Sequence, residues 1–224
     1  MPSLPLFPLA TIAVPGGTLP LVIFEDRYRR LIGELLQLPE PDRVFGVIAI
    51  RRGHEVGAGR VEQLYDVGTA VRVEALAGGP GGIRVRTVGV RRFRLEALTS
   101  DASYPTGDVT WVPDEPGDAT AVAELSRVVQ EAYSAYRELV GAPPLDVADV
   151  AESAEARQDK EAALAYAVLE RLHLPLPERQ RLLAAPTTSE RLQMLAGLLR
   201  RETGLAGRLR TRPGLPPSGE ASLN

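Results

Sequence analysis

A change of period at Pro113-Asp114-Glu115-Pro116-Gly117 restricts the fold of this chain more than any other feature. Upstream, short β-branched runs are punctuated by Gly and Pro; downstream, from Asp118 to Glu202, Ala, Leu, Glu and Arg recur with helical spacing. Two prolines and a glycine within so few residues suit neither a strand nor a helix interior, so the cluster marks a boundary. The reading is α+β: a β-rich subdomain with one helix over 1–115, then a helical bundle over 116–204. Residues 205–224, with Pro213, Pro216, Pro217 and several glycines but no apolar period, are expected to form a disordered tail.

In the β half, residues 4–9 and 18–23 have strand character, and Val14-Pro15-Gly16-Gly17 between them suits a tight reversal. Tyr28, Leu31, Ile32, Leu35 and Leu36 share one helical face, with Glu25 and Asp26 at its start and Pro39 marking its end. Residues 44–50 are apolar nearly throughout, as in a strand buried on both faces, whereas 67–75 alternate. Gly78–Gly82 closes a hairpin into 83–98, where Val88 and Val90 fall out of phase with Ile83, Val85, Phe93 and Leu95; a bulge or bend at Gly89 is expected to break that long strand. About six twisted strands of this kind form a partly closed sheet or pseudo-barrel.

The helical half carries two apolar stripes, one through Val122, Val129 and Tyr136, the other through Leu164, Val168 and Leu172. Pro177 opens a short helix to Ala184, and Thr187-Thr188-Ser189-Glu190 reads as a capping box before Leu192, Leu195 and Leu199. Such segments bury one another as a bundle.

Chemistry is sparse. The chain has no cysteine and two histidines, His54 and His173, which excludes thiolate metal sites and disulfides and leaves no metal-ligand spacing. Lys160 is the sole lysine and stands in no phosphate loop. Gly57-Ala58-Gly59 begins a dinucleotide motif, but Glu62 occupies the place of its third glycine. Glu25 and Asp26 beside Arg27 and Tyr28 point in different directions on a helix and have no accompanying nucleophile, so they are read as a helix start. No catalytic residue, metal or cofactor is expected. A net charge of −3 disfavours general polyanion binding. No apolar run reaches the ~20 residues of a membrane span, and the prolines at 2, 5, 8, 15 and 20, without a basic segment, do not form a secretion signal, so a cytoplasmic location is expected.

The run Leu4-Pro5-Leu6-Phe7-Pro8-Leu9, then Pro15-Gly16-Gly17-Thr18-Leu19-Pro20-Leu21, Ile23-Phe24-Glu25 and Arg27-Tyr28 resembles the opening of the N-terminal, substrate-binding domain of Lon proteases. Phe45-Gly46-Val47, Glu55-Val56-Gly57, Val67-Gly68-Thr69-Ala70 and Gly89-Val90-Arg91-Arg92-Phe93 continue the resemblance, and Leu174-Pro175-Leu176-Pro177 and Glu190-Arg191-Leu192 carry it into the helical half, covering roughly residues 4–202. It implies a PUA-like pseudo-barrel followed by a helical bundle, and a role in recognising exposed apolar segments of proteins. The phosphate loop and the serine–lysine dyad of full-length Lon do not occur here, so a stand-alone, non-catalytic binding module is expected.

That module would bind unfolded or partner proteins in a cleft between its two halves, with Leu19, Leu21 and Phe24 near the Pro-Gly-Gly turn and Tyr104 and Trp111 near the interdomain edge as contact residues. A homo-oligomer is compatible with this reading. The alternative is an RNA-binding surface made by Arg84, Arg86, Arg91, Arg92 and Arg94 around Phe93. The two differ in salt dependence, steep for RNA and slight for an apolar peptide.

Overall fold

The structure is a computed structural model that describes residues 2–52, 63–79, 81–99, 103–145 and 160–210. Strands β1 (Ser3–Leu9) and β2 (Thr18–Ile23) precede helix α1 (Asp26–Leu35) and a single 3-10 turn (Glu40–Asp42). Then come β3 (Val44–Arg52), β4 (Gln63–Leu64), β5 (Val67–Gly79), β6 (Gly82–Thr99) and β7 (Thr106–Val112). The helical half holds α2 (Ala119–Val140), α3 (Lys160–Arg171), α4 (Leu176–Ala184) and α5 (Thr188–Arg210).

The sheet order β1-β7-β6-β5-β3 closes on itself, because β1 also pairs with β3 in parallel, Leu6 opposite Gly46 through Leu9 opposite Ala49. Leu6, Ile48, Ala70, Phe93 and Val109, from each of the five ring strands, fill the interior. Gly46 and Gly68 make room there: a Cβ on either would lie within 3 Å of the Phe93 ring. Outside the ring, α1 lays Tyr28, Leu31, Ile32 and Leu35 on Phe7, Phe45 and Val71, while Leu36 caps the helix at the surface.

Three expectations for the strands are corrected. The first two strands do not form a hairpin: β1 joins β3 and β7, whereas β2 lies antiparallel on β6. The expected turn is present, with Gly17 N–H donating to Val14 O at 3.0 Å and Gly16 at φ 76, but it clamps onto β6 instead. Gly16 N–H donates to Gly89 O (2.8 Å) and Gly89 N–H to Gly17 O (2.9 Å). The strand is also not broken at Gly89; it runs unbroken from Gly82 to Thr99 and bends at a bulge on the adjacent Val90, where Ala70 faces Arg91 but Val71 faces Gly89. Nor does β5 alternate along 67–71, where every residue is buried because the ring interior, α1 and the helical half cover both faces.

In the helical half, Asp118 caps α2 by accepting from Thr120 and Ala121 N–H groups. Thr187 caps α5 with the first half of the anticipated capping box, its hydroxyl accepting from Glu190 N–H at 3.2 Å, while Glu190 Oε1 accepts from that hydroxyl at 3.3 Å and not from the Thr187 backbone N–H. Helix α3 lacks the expected exposed face, because Ala162–Leu169 are all buried among α2, α5 and the β half; its alanines permit close approach on every side. Helix α5 continues past Gly204 to Arg210, correcting the start of the expected tail: Leu205, Ala206 and Arg208 are good helix formers that offset the cost of Gly204 and Gly207.

The halves meet on a packed interface. Ile12, Val14, Ala49 and Val67 join the helical core, and Gln180 donates to Val67 O at 2.7 Å. At its centre Arg92, fully buried, donates to Leu183 O, Ala185 O and Pro113 O and pairs with Asp114 at 2.9 Å. Arg191, also fully buried, donates to Leu182 O and Ala185 O, pairs with the same Asp114 at 3.1 Å and covers the Tyr166 ring. Tyr166 donates to Asp114 as well, at 2.5 Å. Burial holds the Arg92 guanidinium below its ordinary range and pushes the Tyr166 phenol far up.

Asp114 thus neutralises two cations that have left water. Asp114→Ala is expected to cost about 3–5 kcal/mol in urea unfolding, the loss typical of a broken buried ion pair. Gly89→Ala would place a Cβ 2.0 Å from Val14 O, a backbone atom, and should cost about 2–3 kcal/mol. Gly33→Ala, in α1 with open space around it, should instead raise stability by about 0.5–1 kcal/mol in the same assay.

Candidate functional site

Among the described residues, strand β2 is an open edge of the sheet: it pairs with β6 alone, in register from Thr18 opposite Val88 to Ile23 opposite Ile83. The Gly89 N–H to Gly17 O bond sets the phase of this pairing. Antiparallel alternation then turns the main-chain groups of Leu19, Leu21 and Ile23 toward β6 and those of Thr18, Pro20 and Val22 toward the open edge. Pro20 has no N–H to leave unpaired and so suits the outward phase.

Beside this edge lies a cleft of about 270 Å³ between β2, the end of β1 and the start of α1. Phe7 and Tyr28, stacked with ring centroids 4.0 Å apart, are among its lining residues, with Leu9, Leu19 and Leu21. Val22 and Phe24 at the rim are 55% and 48% exposed, large apolar groups that folding has left in water. Polar groups mark two places in it. Glu25 pairs with Arg27 at 2.8 Å, and the Arg27 guanidinium covers the Tyr28 ring. Thr11 Oγ1 accepts from Arg179, which reaches over from α4, at 3.2 Å.

Leu19, Leu21 and Phe24, the residues anticipated near the Pro-Gly-Gly turn, therefore come together. Tyr104 does not join them: its hydroxyl donates to Glu34 on α1, and burial and that bond push the phenol up to about 12. Trp111 is also elsewhere, opposite Phe93 on β7 and covered by the Arg91 guanidinium 3.5 Å from its ring centroid. The expected cleft between the halves is replaced by the packed interface around Asp114, and the apolar cleft beside β2 lies within the β half. Phe7, Thr11 and Arg179 were not anticipated; the Phe-Pro and Arg-Tyr motifs hint at the Phe7–Tyr28 stack, but nothing local links Arg179 to Thr11.

The five arginines do not share one surface. Arg92 is buried at the interface, which corrects its assignment to an exposed face. Arg84, Arg86, Arg91 and Arg94 are exposed, with Arg86 paired to Glu74 and Arg91 laid over the Trp111 ring. Among the described residues there is no cluster of three or more His, Asp or Glu fit to hold a metal, and no helix is long and apolar enough to cross a membrane. His54 and the Gly57–Glu62 motif lie outside the described residues.

Comparison with known proteins places this architecture. The family model of the ATP-dependent protease La (LON) substrate-binding domain matches residues 3–201. Lon protease 4 of Sorangium cellulosum is 30% identical over 203 residues, and Lon protease 2 of Myxococcus xanthus 27% over 206. These alignments cover 90% and 89% of this chain but 24% of each relative, so the chain spans about a quarter of the length of the curated proteins it matches. The crystal structure of a Lon N-terminal domain protein from Xanthomonas campestris is similar with a TM-score of 0.58 at 25% identity, covering 88% of this chain and 98% of that one. The N-terminal domain of the Mycobacterium avium complex Lon protease shares the fold, with a TM-score of 0.63 at 18% identity over 91% of this chain and 98% of that one. With a family model spanning nearly its whole length and two solved Lon N-terminal domains sharing its fold, the chain belongs to the Lon substrate-binding domain family.

Proposed function

We propose that this domain is a non-catalytic recognition module of the cytoplasm that binds extended apolar segments of other proteins in the cleft beside β2. The observation that carries the reading is the juxtaposition of an open strand edge with an apolar cleft whose rim residues, Val22 and Phe24, are about half exposed. A bound segment adds a strand to β2, its main chain meeting the outward groups of Thr18, Pro20 and Val22, while alternate side chains enter the cleft. The β half, 1–115, supplies the surface, and the helical half, 116–204, holds it in shape. Membership of a substrate-binding family supports a protein ligand.

Magnitudes set the affinity. Each Leu or Phe side chain buried contributes about 1.5–3 kcal/mol, and ordering each flexible group costs about 0.5–1.5 kcal/mol. Two or three side chains therefore contribute about 2–4 kcal/mol net, which gives weak binding, millimolar unless main-chain bonds to β2 add to it, independent of ATP and tolerant of salt. In fluorescence anisotropy with a labelled peptide alternating Leu and Ser, Phe24→Ala and Val22→Asp should each weaken binding about tenfold. Unfolding free energy should change by less than about 0.5 kcal/mol, since both side chains are rim groups. Unchanged affinity in both variants, or binding to RNA that falls steeply with salt, would overturn the reading.

A further inference from the structure

The cleft is lined mostly by apolar side chains, and one of its polar lining residues, Thr11, is bonded from behind by Arg179 of the helical half. The geometry points to Arg179, acting with the Thr11 hydroxyl, as the residue that recognises a carboxylate on the bound segment, a deepening that rests on the peptide-binding reading above.

Three contacts locate Arg179. It donates through Nη1 to Thr11 Oγ1, and Thr11 lines the cleft. Its electrostatic partner Glu170 lies against Gly17, where a Cβ would come within 2.1 Å of Glu170 Oε1, so the group stands at the Gly17–Thr18 end of β2 and away from Phe24. Its Nε is buried without an acceptor. A guanidinium carries five N–H donors in a planar fork; here Nη1 is bonded to a neutral hydroxyl, and Glu170 acts on the cation through space without a hydrogen bond. Burial holds the Arg179 guanidinium below its ordinary range, with Glu170 opposing in part.

The buried Nε is out of a ligand's reach, but the remaining Nη donors, beside the Thr11 hydroxyl that lines the cleft, can offer a carboxylate charge-assisted bonds. Thr11 contributes too: its oxygen accepts from Arg179, so its own hydrogen is free to donate to the ligand. At the other end Glu25 is already paired with Arg27, which leaves that end without a spare cation. A segment ending in a free C-terminus at Thr11 would run antiparallel to β2; an Asp or Glu side chain reaches the same place from either direction.

The test is a coupling measurement on the full chain. The labelled Leu–Ser peptide is prepared as a C-terminal acid, as a C-terminal amide, and as an amide with one internal Glu or the matching Gln, and each is titrated into wild type, Arg179→Gln and Arg179→Lys. Expected in wild type is about tenfold tighter binding of a carboxylate-bearing peptide than of its neutral counterpart. That preference disappears in Arg179→Gln and returns in part in Arg179→Lys, which restores the charge without the fork. The acid–amide pair and the Glu–Gln pair show which carboxylate is read. If Arg179 only braced the interface between the halves, Arg179→Gln would weaken neutral and acidic peptides alike, which would overturn the inference and leave the peptide site standing. Equal binding of acid and neutral peptides by wild type would do the same, whereas failure of every peptide to bind would remove the site itself.

Discussion

The geometry of this domain depends on a single carboxylate shared by two buried arginines. Asp114 leaves β7 through Pro113 and meets Arg92 from β6, Arg191 from α5 and the Tyr166 hydroxyl from α3. Taking two guanidinium groups out of water is affordable only where acceptors surround them. The acceptors here are the carboxylate, Pro113 O and the carbonyls at the end of α4, a helix terminus whose orphan C=O groups need donors in any case. The arrangement solves two problems at once, and it does so only in one relative placement of the two halves.

That placement reaches the cleft. With the end of α4 tied to Arg92, the beginning of α4 brings Arg179 to Thr11, and α3 brings Glu170 against Gly17. The turn that carries Gly17 is itself pinned to Gly89, where no side chain fits. Strand β2 therefore leaves the turn along β6 with its outer edge uncovered. An open edge is a hazard that proteins usually blunt, and Pro20 removes one of its donors. Of the exposed large apolar side chains, Val22 and Phe24 are the two that rim an apolar cleft, and the proposed partner surface rests on that coincidence.

Much of the fold was legible because it is local. The proline cluster at 113–117, the apolar stripe of α1, the Thr187 cap and the irregularity near Gly89 each follow from short-range periodicity or turn chemistry. The misreadings share one cause, which is that distant chain decides them. The parallel pairing of β1 with β3 closes the ring across some 40 residues, and no local signal announces it. Arg92 sits in an arginine-rich strand and reads as a surface charge until the carbonyls of Leu183 and Ala185 arrive. Helix α3 looked amphipathic because alanine counts weakly as apolar, yet alanine is what lets neighbours pack on all sides. Of the proposed contact residues, Leu19, Leu21 and Phe24 lie at one cleft because they flank a recognisable turn. Tyr104 and Trp111, expected near the interdomain edge, bond Glu34 and carry the Arg91 guanidinium, away from that cleft.

The central claim, that a peptide adds to β2 and fills the cleft beside it, is tested most directly by amide chemical-shift mapping of the isotope-labelled chain titrated with the Leu–Ser peptide. The account predicts that the largest shifts fall on Thr18, Leu19, Leu21, Val22 and Phe24, with slowed hydrogen exchange at the outward amides of Thr18 and Val22. Shifts concentrated instead in the shallow groove of Met194, Leu198 and Arg201 between α4 and α5, with β2 unmoved, would contradict it.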